Sequence, residues 1–481
     1  MRPLRPASEI RCMVMRENKL MTLGKEAADL YGRNVTVVGL GRSGIGAAQL
    51  LSLKGARVSV TDARSARRLK SEMEGLPEGV SLSLGGHPEH LFKGADMVVV
   101  SPGVPSDIEP LRLCRGLGIP VIGELELAYM FTDIPFLAIT GTNGKSTVTA
   151  LTGEMMGASG LDVFVGGNIG SSIAGEICLM ERRERSVPDW IVAEVSSFQL
   201  ESVRDFRPAV AAILNLSPDH MDRYDKMEDY RLAKTRIFLN QRAGDSLVLN
   251  ADDEAVASLA GRAPGRVAWF SRLRAVERGV FIENGDIVFR LDGSGGRLLA
   301  ADSLGIIGLH NLENAIAAAC ISLLAGAEPE RVAEALESFR GLEHRLEKVD
   351  EFEGVTYIND SKGTNTGAVL KSLASFSEPV ILIAGGRDKG TDFSILAPEM
   401  TGRVKLLVLI GEAADKMAAE LGGLAPVLMA ADMDDAVEKA SRAASGGDVV
   451  LLSPACASFD MFSDFEQRGR AFKDAVRRLH G

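Results

Sequence analysis

Short runs of Val, Ile and Leu alternate with helix-length patterns through most of this chain. That alternation constrains the fold more than any single motif. Strands joined by helical crossovers pair in parallel and need both faces covered. The expected class is α/β with mainly parallel sheets. "NVTVVGLG", "RVSVTD" and "ADMVVVSPG" read as strands of a first unit that closes near Gly123. "FLAIT", "DWIVAEV" and "VAAILNL" belong to a second. Residues 279–290 contain "VFIENGDIVF" and predict a hairpin turning at Asn-Gly, hence a small antiparallel appendage. "HNLENAIAAACISLLAG" reads as a helix closing at Gly326. A third unit opens after "FRGLEHR" with "VTYIND", "VILIAGG", "LLVLIG" and "DVVLLSPA".

A length of 481 residues fits three domains at roughly 150 residues each. The expected boundaries are 31–123 (Rossmann-like), 124–341 (a P-loop-type mononucleotide-binding domain with the appendage) and 342–481 (Rossmann-like). Residues 1–30 read as a leader without assigned function, either disordered or an overextended start preceding Met13, Met15 or Met21.

Three glycine-rich turns compete for a nucleotide. "GLGRSGIG" sets Gly39, Gly41 and Gly44 between a strand and a helix, with Asp62 ending the next strand. This is the dinucleotide fingerprint in its proper context, and the residues leave open NAD, FAD, another nucleotide or a bare tight turn. "FLAITGTNGKST" lacks the first glycine of the strict P-loop, since Ile139 stands there. Its strand ends at Thr140, the turn is Gly141-Thr142-Asn143-Gly144, and a helix is expected from Lys145. Free N–H groups at that helix start, the Lys145 cation and the Ser146 or Thr147 hydroxyl suit phosphate and Mg²⁺. "IAGGRDKGTDF" places Arg387, Asp388 and Lys389 after Gly385-Gly386, which suits an anion or a plain surface turn.

Carboxylates stand where a cation would be needed. Glu194 ends an apolar strand, where a charge is costly unless paired. Asp219, His220 and Asp222 follow another strand, at the sheet edge where open α/β sheets bind ligands. Oxygen ligands suit Mg²⁺, and no zinc spacing occurs. Five scattered cysteines without a CxxC point to a reduced, cytoplasmic chain. Net charge −11 argues against nucleic acid, and the apolar runs are too short for membrane insertion.

Together these pieces resemble the Mur ligases. The likeness runs from about residue 33 to the C-terminus through "GTNGKST", "GGNIG", "EVSSFQLE", "DHMDRY", "YRLAKTRIF", "GLHNLENAIAA", "GLEHR", "NDSKGTN", "GGRDKG" and "SPACASFDMFSDFEQRG". Each is weak alone; ten in order are specific. The resemblance implies ATP and two Mg²⁺ as cofactors, and UDP-N-acetylmuramoyl-L-alanine and D-glutamate as substrates. A monomer is the expected form. ATP would phosphorylate the substrate carboxylate, and the D-glutamate amine would displace phosphate from the acyl phosphate through a tetrahedral intermediate.

By the same resemblance Gly141 to Thr147, Asn311, Asn314, Arg345 and Asp360 would bind ATP. Arg42, Ser43, Asp62, Arg64, Gly103, Asn168 and Gln199 would hold the UDP substrate, so "GLGRSGIG" is reassigned from NAD. Lys362, Thr364, Lys389, Ser458 and Phe465 would hold D-glutamate. Phe459 and Arg387 depart from the family pattern there. Ser146 and Glu194 would serve one Mg²⁺ and His220 the second. Lys234, which the helix pattern alone reads as a solvated lysine, would be carbamylated by CO₂ and join His220.

Overall fold

The computed structural model describes residues 30–480 except 221, 222, 225, 307 and 389. Apart from Leu30, the expected leader lies outside the described residues, as do Asp222 and Lys389. The described strands form three sheets. In the first, β1 (Asn34–Val38), β2 (Arg57–Asp62), β3 (Ser81–Leu84), β4 (Met97–Val100) and β5 (Val121–Gly123) pair in parallel in the order β3-β2-β1-β4-β5.

The second sheet comprises β6 (Phe136–Thr140), β7 (Val163–Gly167), β8 (Trp190–Glu194), β9 (Val210–Ile213), β10 (Ser246–Asn250), β11 (Arg266–Ser271), β12 (Gly279–Glu283), β13 (Asp286–Leu291) and β14 (Ser294–Ala300). Their order is β14-β13-β12-β11-β10-β9-β6-β8-β7. The Asn284-Gly285 hairpin forms, with Glu283 paired to Asp286. The antiparallel appendage is the edge of this sheet, because β12 also pairs in parallel with β11.

The third sheet takes β15 (Glu347–Phe352), β16 (Val355–Asn359), β17 (Val380–Gly385), β18 (Val404–Ile410), β19 (Val427–Met429) and β20 (Val449–Leu452) in the order β15-β16-β20-β17-β18-β19. All its pairings are parallel except β15 with β16. The chain divides into two compact units. One runs to Ser303 and includes Glu313–Glu337, with the first two sheets; the other holds Leu304–Leu312 and Ser338 onward, with the third.

The central strands explain where ligands go. Every residue of β6, β8 and β10 is buried, as expected for parallel strands covered on both faces. Phe136, Leu137 and Ile139 each contribute roughly 1.5–3 kcal/mol by burial, which fixes β6 and the loop it carries. In the first sheet the chain crosses to opposite sides of β1, so the turns after β1 and β4 part at their C-terminal ends. The second sheet does the same around β6. Such switch points are the ligand crevices of open α/β sheets. Among the described residues no helix is long and apolar enough to cross a membrane.

Candidate functional site

The turn after β6 forms as the glycine spacing predicts. Gly141 has φ +156° and Gly144 φ +82°, and the helix Lys145–Ala158 begins directly after. Gly144 has a second constraint: a Cβ there would lie 2.2 Å from Asn314 Oδ1. The loop is braced from the segment after β9, where Asn215 accepts from the Thr142 and Asn143 N–H groups at 3.0 and 2.8 Å. No side chain caps the helix start, so its first N–H groups face the turn, an arrangement that attracts phosphate. Lys145 Nζ donates to the carbonyls of Gly141 and Thr142 at 3.0 and 2.9 Å. Ser146 and Thr147 are buried in the first helical turn.

Lys234 corrects the helix-pattern reading. The helix Met227–Thr235 carries it inward, and it is 1% exposed rather than solvated. Its Nζ donates to Gly141 O at 2.8 Å and lies 4.6 Å over the Tyr230 ring. Lys145 and Lys234 therefore share one carbonyl. Burial first, and the Lys145 charge second, hold the Lys234 pKa well below the ordinary lysine value.

Glu194 closes β8 at 2% exposure. Its Oε1 accepts from Asn168 Nδ2 at 2.8 Å, while Oε2 is buried without a hydrogen-bond partner. A bare buried carboxylate oxygen fits a hard cation. His220 is about half exposed in left-handed backbone (φ +56°), 3.6 Å from Asp219 and against the Phe198 ring. No cluster of three or more acidic, His or Cys side chains is preassembled for a metal among the described residues.

A cavity of about 640 Å³ opens at the switch point of the first sheet. All seven residues matched to the UDP substrate line it: Arg42, Ser43, Asp62, Arg64, Gly103, Asn168 and Gln199. Asp62 accepts from the Leu40 and Arg64 N–H groups, each at 2.8 Å, and from the Arg64 guanidinium. Burial works against its charge, but these bonds outweigh burial and hold its pKa down at about 2. Gln199 accepts from the Ser196 N–H in a capping box, which fixes its orientation at the cavity. The Asn168–Glu194 bond joins this cavity to the phosphate loop's carboxylate, a link that no sequence spacing displays.

In the second unit, Arg345 stands between His344 (φ +65°) and Leu346 (φ +44°), two residues in left-handed backbone. Asn311 belongs to this unit and Asn314 to the first, and both are buried near the start of the helix Leu309–Leu324. Lys362 Nζ lies 3.7 Å over the Phe465 ring, uniting two positions matched to D-glutamate; Thr364 follows on the same loop and Ser458 is buried. Phe459 is exposed and Arg387 N–H donates to Ala457 O. Sequence reasoning missed Arg468, which is fully buried and donates to Ser361 and to Cys456 O. It braces the loops bearing Lys362 and Ser458; its only sequence sign was its place inside "DFEQRG".

Asp360 faces inward. Its Oδ2 accepts from Ser372 at 2.6 Å and Ser453 at 2.7 Å, so that oxygen is occupied within the protein. Burial raises its pKa from 3.8 to about 6, although the two hydroxyls work the other way. A carboxyl with a raised folded pKa stabilises fully below its unfolded value and loses that contribution as pH rises through the folded one. The cost at neutral pH is on the order of 3 kcal/mol. Asp360→Asn should therefore flatten the decline in melting temperature between about pH 4 and 7. An unchanged slope in calorimetry would contradict this.

Comparisons with known proteins give one family match over each of the three sheets. The family "Mur ligase MurD-like, N-terminal domain" matches residues 33–123, "Mur ligase middle domain" 139–322 and "Mur ligase, glutamate ligase domain" 344–456. The chain is 46% identical over 456 residues to the UDP-N-acetylmuramoylalanine--D-glutamate ligase of Acidobacterium capsulatum, covering 94% of this chain and 98% of that one. It is 48% identical over 455 residues to the ligase of the same name from Pelotomaculum thermopropionicum, covering 94% and 99%. Among solved structures it resembles a pseudomurein peptide ligase type C from Methanothermus fervidus, with TM-score 0.57, 20% identity, and 93% and 100% coverage. It also resembles the UDP-N-acetylmuramate-alanine ligase MurC from Thermotoga maritima, with TM-score 0.56, 18% identity and the same coverage. The structural likenesses speak for the fold alone.

Proposed function

The chain belongs to the Mur ligase family, and from that premise we propose how its site works. It is an ATP-dependent ligase of peptidoglycan precursor synthesis, adding D-glutamate to UDP-N-acetylmuramoyl-L-alanine. The observation that carries the mechanistic reading is the cavity in which seven matched residues converge, joined through Asn168 to Glu194 at the phosphate loop. Uridine is assigned to Asp62 and Arg64, and the pyrophosphate to Arg42, Ser43 and Gly103. Asn168 and Gln199 orient the muramoyl portion.

The ATP phosphates are assigned to Gly141–Thr147, with Asn311, Asn314 and Arg345 as further ATP contacts. Asp360 is assigned to ATP as well, with its Oδ2 held by two serine bonds. The substrate carboxylate attacks the γ-phosphorus, ADP leaves, and the resulting acyl phosphate accepts the D-glutamate amine before phosphate departs. Phosphoryl transfer needs alignment and charge neutralisation more than covalent help. Lys145 supplies a cation at the loop, and the helix start supplies N–H donors.

Two Mg²⁺ fit the donor set. Ser146 and Glu194 would hold one, in keeping with the orphaned Glu194 oxygen, and His220 with carbamylated Lys234 the other. They would supply charge neutralisation for the phosphates. Lys362 and Lys389 suit the two carboxylates of D-glutamate, with Thr364, Ser458 and Phe465 shaping the pocket. The protein is assigned to the cytoplasm as a monomer that binds no nucleic acid. Calorimetry with UDP and with NAD tests the cavity's assignment. UDP binding is expected; binding of NAD without UDP would overturn it.

A further inference from the structure

We propose that Glu124 is a positioning residue for the UDP-substrate cavity, holding in place the 167–172 segment that forms one wall. Glu124 lies outside the cavity lining and directly follows β5, the edge strand of the first sheet. It is 2% exposed, and its Oε1 accepts from Ser172 Oγ and the Ala174 N–H, each at 2.7 Å. Ser172 in turn caps the helix Ile173–Glu181 by accepting from the Gly175 N–H at 3.2 Å. One carboxylate at the start of the helix Glu124–Met130 therefore fixes the point where the cavity wall passes into the helix Ile173–Glu181.

The wall cannot shift independently of the fingerprint helix Arg42–Leu53. A Cβ on Gly46 of that helix would lie 2.1 Å from Ser172 Oγ and 2.8 Å from Gly175 N. The two helices meet there with no room for a side chain. On the cavity side, Arg42 donates to Gly170 O at 2.7 Å. Arg42, Gly170, Ser172 and Asn168 all line the cavity. Releasing Ser172 from behind would loosen Gly170, Arg42 and Asn168 together, while Asp62 and Arg64, held by β2 and the Leu40 N–H, would keep their places.

The second oxygen of Glu124 is buried with no hydrogen-bond partner. Glutamine at 124 would keep the Oε1 acceptor and replace only that unused oxygen. Glu126, two positions on, provides an internal control. It is equally buried but accepts from the N–H groups of Arg204, Asp205 and Phe206, away from the cavity.

The proposal rests on the cavity being the UDP site, so the test measures UDP and uridine binding to the full chain by calorimetry. Glu124→Ala should weaken UDP by about tenfold or more while uridine affinity stays within about twofold, the scale of one lost charged hydrogen-bond anchor. Glu124→Gln should restore UDP to within about twofold of the unsubstituted protein. Glu126→Ala should lower the melting temperature and leave UDP affinity unchanged. Unaltered UDP binding in Glu124→Ala would overturn the proposal. So would equal losses for UDP and uridine, or a Gln variant as weak as the Ala variant. Absence of UDP binding in the unsubstituted protein would instead overturn the cavity's assignment, and the proposal with it.

Discussion

Lys145→Ala is expected to lower ATP turnover by about 10³-fold while leaving UDP affinity within about twofold. The asymmetry follows from position. Lys145 Nζ lies on the carbonyls of the β6 turn, where it donates to Gly141 and Thr142. The cavity proposed for UDP is built at the end of β1, from residues that do not include the turn. Removing the cation would take away positive charge where the γ-phosphate is proposed to lie, beside the N–H groups of the helix start. It also removes a like charge from the neighbourhood of Lys234, so the fold should survive. Steady-state turnover and UDP calorimetry on the same preparation separate the two effects. Loss of both functions together would contradict the division between cavity and loop.

Lys234→Ala should reduce turnover by about 100-fold or more, with partial recovery when a short carboxylic acid is added. An ammonium at this position is in difficulty, since it is buried and shares the Gly141 carbonyl with Lys145. The neutral amine can attack CO₂, forming the N–C bond and releasing a proton. The product carbamate replaces repulsion with attraction toward Lys145, and its oxygens suit Mg²⁺. A small carboxylate diffusing into the space left by Lys234→Ala would supply similar oxygens. Crystal density on Nζ in the substrate-bound enzyme should show the added carboxyl group. A bare amine there, with full activity after rigorous removal of CO₂, would contradict the assignment.

The sequence carried the strands with the least ambiguity where burial is two-sided. "FLAIT" and "VILIAGG" carry β6 and β17, every residue of which is buried, because continuous apolar runs have one sensible fate between helices. Strands that escaped, such as β3 "SLSL" and β15 "EKVDEF", lie at sheet edges and are half exposed, so their residues carry no hydrophobic run. The glycine turns were legible because positive φ and close approach demand glycine, as Gly144 does against Asn314. The helix pattern alone reads Lys234 as solvated, although Leu232, Ala233, Ile237 and Phe238 place apolar side chains around it. Its burial depends on the β6 turn, 93 residues away in sequence. The Asn168–Glu194 bond and the Arg468 brace were illegible for the same reason: they are contacts between elements separated in the sequence.

Phosphate release from ATP, measured with UDP-N-acetylmuramoyl-L-alanine and a panel of amino acids, tests the central claim most directly. Sustained release is expected only when D-glutamate and the UDP substrate are both present, since the acyl phosphate needs the amine to turn over. Neither L-glutamate nor L-alanine nor diaminopimelate should replace it. Release driven equally by another amino acid, or none with D-glutamate, would contradict the account.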